Sequence, residues 1–333
     1  MKIVFFETSH WEQEYIKNKL PGQDFVFNQG NFSEASSLPQ DTEVLSIFTK
    51  TKIGDDELVR LPHLKLIATR TTGVDHINLA SCLARGVVVS NVPGYGANTV
   101  AEYTFGLLLM LSRKLYQSVK RLRDQAIFDS AGLRGFDLHG KTMGIIGTGK
   151  IGAEVAKLAH AFSMNVQAYD TQPNEVLAKE VGLRYLELDE LLRTSDIISL
   201  HAPAIPSTHH LLNRSNLPNL KKGAVLINTA RGTLIETESL VTALRNGQIS
   251  AAALDVLEEE GLINEDAELI MKGHPSETQL SNLLSDHELM RMDNVYLTPH
   301  NAFNTTEAIK RILDTTIENI LSFSKGIPLN NVK

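Results

Sequence analysis

An α/β fold of two doubly wound parallel-sheet domains is predicted by three observations. Short apolar runs alternate with helix-like segments in two separate sets, which is the pattern of βαβ units. A glycine-rich turn, Gly147-Thr148-Gly149-Lys150-Ile151-Gly152, joins a strand to a helix in the second set. The chain has 333 residues, more than a single core usually serves.

In the first set, residues 2–6, 44–48, 64–69 and 87–90 read as buried strands. The rhythm pauses at Val92-Pro93-Gly94-Tyr95-Gly96, a turn signal. From residue 98 to about 124, Ala101, Phe105, Leu108, Leu109, Leu111 and Leu115 recur at helical spacing, predicting one long helix. That helix serves either a core or a partner subunit. The second set has strands at 142–146, 165–169, 197–200, 224–228 and 251–255, with a helix over 151–161. Residues 258–293 are acidic and polar, and receive no assignment. A last strand at 295–297 leads into Thr298-Pro299-His300, and a helix over 305–324 follows. No short internal repeat is present.

Composition excludes several classes of function. Hydrophobic residues make up 42% and charged residues 21%, as in ordinary globular proteins. The net charge is -7 and the lysines and arginines are scattered, so neither nucleic acid nor an anionic membrane is an expected partner. The apolar run at 105–111 is far too short to span a bilayer. Met1-Lys2-Ile3-Val4-Phe5-Phe6 reaches Glu7 before a secretory signal could form. The single cysteine, Cys82, permits no internal disulfide and reads as a small buried residue. A cytoplasmic location is expected, and no metal site.

In the glycine motif the first glycine permits a tight turn, the second lets backbone approach a pyrophosphate, and the third lets helix pack on sheet. The helix N-terminus adds free N–H groups and a positive dipole end. Asp170 ends the next strand, 18 residues after Gly152. A carboxylate there accepts ribose hydroxyls and repels a 2′-phosphate, so NAD is favoured over NADP. Thr171-Gln172-Pro173 supplies no arginine to reverse that preference.

Three polar residues stand at or beyond strand ends, where such sheets place chemistry: Arg231, Glu260 and His300. Singly, each has a plainer reading: a surface charge, part of the run Glu258-Glu259-Glu260, a structural histidine. Together they match one reaction. A guanidinium binds a carboxylate bidentately. A histidine supplies a proton near neutral pH. A carboxylate beside that histidine favours its charged form and orients it.

These motifs, with Thr71-Thr72-Gly73-Val74-Asp75, Asn98-Thr99-Val100-Ala101-Glu102, Leu200-His201-Ala202-Pro203, the 228–232 and 254–260 segments and Thr298-Pro299-His300, resemble the D-isomer-specific 2-hydroxyacid dehydrogenase family. Within it the similarity is greatest to the fermentative D-lactate branch. It covers nearly the whole chain. It implies a flavodoxin-like substrate domain, residues 1–99 plus 301–333, and a Rossmann NAD domain, residues 100–300, with a cleft between and hinges near Val100 and Asn301. It implies that Arg231 binds and polarises the substrate, that His300 is the acid/base and that Glu260 pairs with it. The backbone at Thr72 and Gly73 would hold the substrate carboxylate. Tyr95, Phe48 and Phe303 would wall the substrate side chain, suiting a molecule as small as pyruvate. Gly147, Thr148, Gly149, Lys150, Ile151 and Gly152 would cradle the pyrophosphate, and Asp170 the adenine ribose. His201, Pro203 and Thr208 would line the adenine side. Thr229, Ala230 and Asp255 would lie near the nicotinamide, with Val100 behind the ring. The long helix after Val100 would form part of a homodimer interface, with pairing into tetramers left open.

The chain departs from the family pattern at three points. Gly261 stands where many relatives have proline, Asn301 replaces an apolar residue beside His300, and Tyr103 stands where several relatives have histidine. The expected activity is NADH-dependent reduction of pyruvate to D-lactate. The alternatives are a glyoxylate or hydroxypyruvate reductase of the same family, or an NADH-sensing corepressor, which the Arg231, Glu260 and His300 set does not exclude.

Overall fold

The computed structural model describes residues 1–35, 37–263 and 275–332. In chain order the elements are β1 (Lys2–Phe5), α1 (His10–Lys19), β2 (Asp24–Phe27), β3 (Val44–Ile47), α2 (Asp55–Val59), β4 (Leu66–Thr69), α3 (Leu79–Ala84), β5 (Val88–Ser90), α4 (Ala97–Ser112), α5 (Leu115–Gln125), β6 (Thr142–Ile146), α6 (Lys150–Ala161) and β7 (Asn165–Tyr169). There follow α7 (Glu175–Val181), β8 (Arg184–Tyr185), α8 (Leu188–Thr194), β9 (Ile197–Leu200), β10 (Ala224–Asn228), α9 (Thr237–Arg245), β11 (Ile249–Leu254), α10 (Glu277–Leu289), β12 (Val295–Leu297), α11 (Thr306–Ser324) and β13 (Asn331–Val332).

These elements form two compact units. One comprises Met1–Tyr95 and the segment from Asn304 onward, and the other is Gly96–Phe303. The boundaries placed from sequence, 99/100 and 300/301, differ from these by a few residues. The first unit holds a sheet of order β13-β5-β4-β3-β1-β2, parallel except where β13 runs against β5. Ile3 and Phe5 of β1 and Leu66 and Ala68 of β4 are buried against Leu313, Ile317 and Ile320 of α11. Each of the larger side chains, leucine, isoleucine or phenylalanine, contributes roughly 1.5–3 kcal/mol when removed from water. Thr305 caps α11, its hydroxyl accepting from the Ala308 N–H at 3.1 Å.

The second unit holds a parallel sheet of order β12-β11-β10-β9-β6-β7-β8. Strand order reverses between β6 and β9, and crevices at such a switch point take ligands. α4 and α6 cover one face, with Phe105 and Leu108 packed among Val155, Ala156 and Ala159.

Sequence reasoning assigns no range to α1, β2, α2, α3, α7, β8, α8, α9 or β13. It also makes one helix of 98–124, where the chain forms α4 and α5. The break is imposed by a contact with a distant segment. The Phe136 N–H takes the Ser112 carbonyl at 2.9 Å, and Lys114 turns into the left-handed region at φ 52°. Gly135 makes this possible, because a side chain there would overlap the Ser112 carbonyl oxygen. The unassigned stretch 258–293 contains α10, which opens on Ser276 and Gln279 as a capping box. Residues 264–274 of that stretch lie outside the described residues.

Gly135→Ala drives a methyl group into backbone. The expected cost is about 2–4 kcal/mol of stability, read as a lowered midpoint in urea unfolding. An unchanged midpoint would show that the helix break does not depend on that approach.

Candidate active site

The turn from β6 into α6 is built by close approaches. Gly147 adopts φ +92° and presses on the His201–Ala202 backbone after β9, leaving no room for a side chain. Gly152 lies directly against the Gly147 carbonyl, so helix and turn meet backbone to backbone. Gly149, the N-cap of α6, opens onto free space. Lys150 is exposed and Ile151 half-buried. The open glycine and the first N–H groups of α6 suit a pyrophosphate.

Asp170 follows β7 and is half-buried. Its Oδ2 accepts from the Thr148 N–H at 2.6 Å and the Thr148 hydroxyl at 2.9 Å, and its Oδ1 accepts from the Gln172 N–H at 2.8 Å. Burial pulls this carboxyl upward, but those hydrogen bonds prevail and hold it below its usual value. It is therefore a fixed anion beside the turn, and Oδ1 keeps acceptor capacity for a ribose hydroxyl. The residues present fit NAD.

Of the adenine-side candidates, Pro203 is exposed, and the Thr208 hydroxyl donates to the Pro203 carbonyl at 2.6 Å, closing the loop between them. His201 pairs with the Ser199 hydroxyl at 2.8 Å, and burial pushes its pKa down to about 3, so the ring is neutral. Val100 is buried. The Thr229 hydroxyl meets that of Thr104 at 2.9 Å, joining the middle of α4 to the residue after β10.

Beyond β11, Asp255 is 1% exposed. Its carboxylate accepts from the Thr298 hydroxyl, from the Asn301 N–H at 2.9 Å and from the Ala302 N–H at 2.8 Å. Burial raises this carboxyl above its usual value in spite of those bonds. The Asp255 carbonyl also takes the His300 N–H at 2.9 Å. His300 is thereby held at φ 51°, a conformation non-glycine residues seldom adopt. Its Nδ1 lies 2.9 Å from Glu260 Oε1. Where the carboxylate accepts from Nδ1–H, Nε2 is the ring nitrogen left for another partner. Phe303 stands edge-on to the His300 ring at 6.4 Å.

Arg231 rides on a turn pinned by buried Asn228, whose Oδ1 accepts from the Ala230 N–H at 3.0 Å and whose Nδ2 donates to the Arg231 carbonyl at 2.8 Å. Gly232 then abuts the Leu257–Glu258 backbone, again with no room for a side chain. The structure thus brings the Arg231 turn against the segment that carries Glu260.

In the first unit, Thr72 donates its hydroxyl to the Val92 carbonyl at 2.8 Å, and Asn91 donates to the Thr72 carbonyl at 2.7 Å. The Thr72 and Gly73 N–H groups make no backbone hydrogen bond among the described residues. The Tyr95 carbonyl accepts from Arg311 Nε at 2.6 Å. Phe48 lies under the buried Arg70 guanidinium at 5.4 Å, and its loop is organised by Glu7, whose carboxylate takes the Lys50 N–H at 3.0 Å and the Thr51 hydroxyl at 2.6 Å.

Sequence reasoning missed Asp286 on α10. Its Oδ2 accepts from the Glu259 N–H at 3.1 Å, and it is 0% exposed. Burial pushes its carboxyl up to about 7, with the charges of Glu258, Glu259 and Glu260 adding to the effect. No local motif marks it, since the contact spans 27 residues.

Between its ordinary value near 4 and about 7, the unfolded chain ionises at Asp286 while the folded protein does not. Folding stability from this group therefore falls as pH rises through that window. Asp286→Asn cannot ionise. Its unfolding free energy relative to wild type should rise by a few kcal/mol between about pH 4 and pH 8. Parallel pH profiles would show that Asp286 is charged in the folded state.

Residues 105–302 match the family model of the D-isomer specific 2-hydroxyacid dehydrogenase NAD-binding domain. A 2-hydroxyacid dehydrogenase homolog of Zymomonas mobilis is 36% identical over 332 residues, covering 98% of each chain. A glyoxylate reductase of Thermofilum pendens is 35% identical over 86% of this chain and 80% of its own. The solved structure of D-lactate dehydrogenase from Aquifex aeolicus, complexed with NAD and lactic acid, is 34% identical with a TM-score of 0.84, over 97% of this chain and 96% of that one. With a glycine turn that suits a pyrophosphate, Asp170 beside it and a His300–Glu260 pair, this NAD-binding chain belongs to the D-isomer-specific 2-hydroxyacid dehydrogenase family.

Proposed function

We propose that the chain reduces pyruvate to D-lactate with NADH. The observation that carries this reading is the His300–Glu260 pair at 2.9 Å, set on the same scaffold as the Arg231 turn. Bound NADH supplies a hydride. His300 Nε2 gives a proton to the substrate oxygen, and Glu260 stabilises the imidazolium before that transfer. Arg231 offers a planar pair of donors to a carboxylate or a carbonyl oxygen. Pyruvate, NADH and a proton thus balance to lactate and NAD, and the family name supplies the D configuration. In the first unit, the Thr72 and Gly73 N–H groups suit a carboxylate, and Phe48 and Tyr95 suit a small apolar substituent. The lactic acid in the Aquifex aeolicus structure supports the same substrate. The glyoxylate reductase among the relatives supports the competing one.

The test is NADH oxidation by purified protein with pyruvate, glyoxylate and hydroxypyruvate in parallel. Pyruvate should give the highest kcat/KM. His300→Ala should lower kcat by roughly 10²–10⁴-fold. A wide preference for glyoxylate or hydroxypyruvate would reject the lactate assignment while keeping the family chemistry.

We further propose that a second copy of the chain covers α5. This helix buries none of its residues, and Leu115, Tyr116, Val119 and Leu122 are between 50% and 59% exposed along one stripe. Exposed apolar stripes of this kind mark interfaces. Val119→Asp should convert a dimer to a monomer in light scattering. An unchanged mass would place the interface elsewhere.

A further inference from the structure

We propose that His209, His210 and Glu258 bind a divalent transition-metal ion of the zinc type, outside the acid/base pair. The three side chains bring one ligand atom each to within 4.8 Å of one another. The two rings stack at 4.0 Å between centroids, 34° apart. Glu258 Oε1 faces His210 Nε2 at 2.6 Å.

The site is built rather than incidental. The Glu258 side chain is only 6% exposed, and among the described residues no lysine or arginine forms an ion pair with it. Its second oxygen accepts from the Thr237 hydroxyl at 2.7 Å, which aims Oε1 at the histidines. An oriented carboxylate with a hydroxyl behind it is a recurrent outer-shell arrangement in metal sites. His210 holds φ 48°, with its N–H bonded to the Thr233 carbonyl at 2.8 Å and its carbonyl taking Asn213 Nδ2 at 2.8 Å. A residue fixed in so uncommon a backbone conformation is over-determined by its surroundings.

Two imidazoles and one carboxylate form a borderline donor set, suited to zinc, cobalt, nickel or copper rather than to magnesium or calcium. Zinc takes such ligands at about 2.0–2.2 Å, so they lie about 3.4 Å apart around a tetrahedral ion. To reach that arrangement the 2.6 Å His210–Glu258 contact would open and the wider separations, up to 4.8 Å, would close. His209 is exposed. A metal ion needs neutral imidazoles, so binding should weaken as the histidines protonate. Glu258 lies two residues before Glu260, so an ion here would fasten the loop bearing the acid/base partner to the loop at 205–212.

The experiment is calorimetric titration of the chelator-treated full chain with zinc chloride, at about pH 7.5 and again below about pH 6, where free histidine is protonated. One ion per chain should bind at the higher pH and be lost at the lower. His209→Ala, which removes an exposed ligand and leaves the core intact, should weaken binding at least about tenfold, the loss expected of a coordinating or supporting group. His287→Ala, an exposed histidine on α10, should leave it unchanged. Absence of saturable binding by wild type, or equal effects of the two substitutions, would overturn the site. Activity does not enter this readout, so it stands or falls separately from the pyruvate reading.

Discussion

The end of the second unit that carries the His300–Glu260 pair depends on one buried carboxylate. Asp255 is 1% exposed, and among the described residues it forms no ion pair. It is tolerated because three donors from residues 298–302 converge on it. The same bonds determine where β12 must end, how His300 turns and why its imidazole stands beside Glu260. Removing any donor would leave a charged acceptor under-satisfied in a dry place, which costs far more than a lost surface hydrogen bond. The histidine is therefore positioned by a residue it does not touch with its ring.

A second constraint is the meeting of backbones without side chains. Gly152 against Gly147, Gly147 against 201–202 and Gly232 against 257–258 each bring two loops closer than any methyl would permit. Glycine carries an entropic cost on folding. Here it secures loop positions that hydrogen bonds across a longer gap would leave loose. The carboxylate of Asp170 plays a similar part, locking Thr148 while remaining an anion.

Much of this arrangement was legible in the sequence, because its signals are local. The 142–146, 197–200, 224–228 and 295–297 strands are dense apolar runs, and the glycine turn has a fixed spacing. Strand β2 escaped notice because it is an edge strand of only four residues, with a polar Asp24 and half-exposed side chains. The division of 98–124 into two helices was hidden for another reason. Ser112, Arg113 and Lys114 carry no breaker, and the break is imposed by Phe136 from more than twenty residues away. Residue types named Arg231, Glu260 and His300 as a set. Their supports, Asn228, Thr298 and Asp286, emerged only with coordinates, since hydrogen-bond geometry across distant segments leaves no periodic trace.

The first sheet has an unusual dependence on distant sequence. Its N-terminal strands pack on Leu313, Ile317 and Ile320 of α11, and its edge is closed by β13 against β5. Between these two parts lies the whole of the other unit, residues 96–303. On the ribosome, Ile3 and Phe5 leave the exit tunnel long before the helix that covers them has been made. The inserted unit, contiguous in sequence, can complete its core first. The opening strands must wait through that interval with an apolar face uncovered. The elongating chain thus passes through a stage in which its middle is native and its beginning is not, and it is there that chaperone contact and aggregation compete for the same surface.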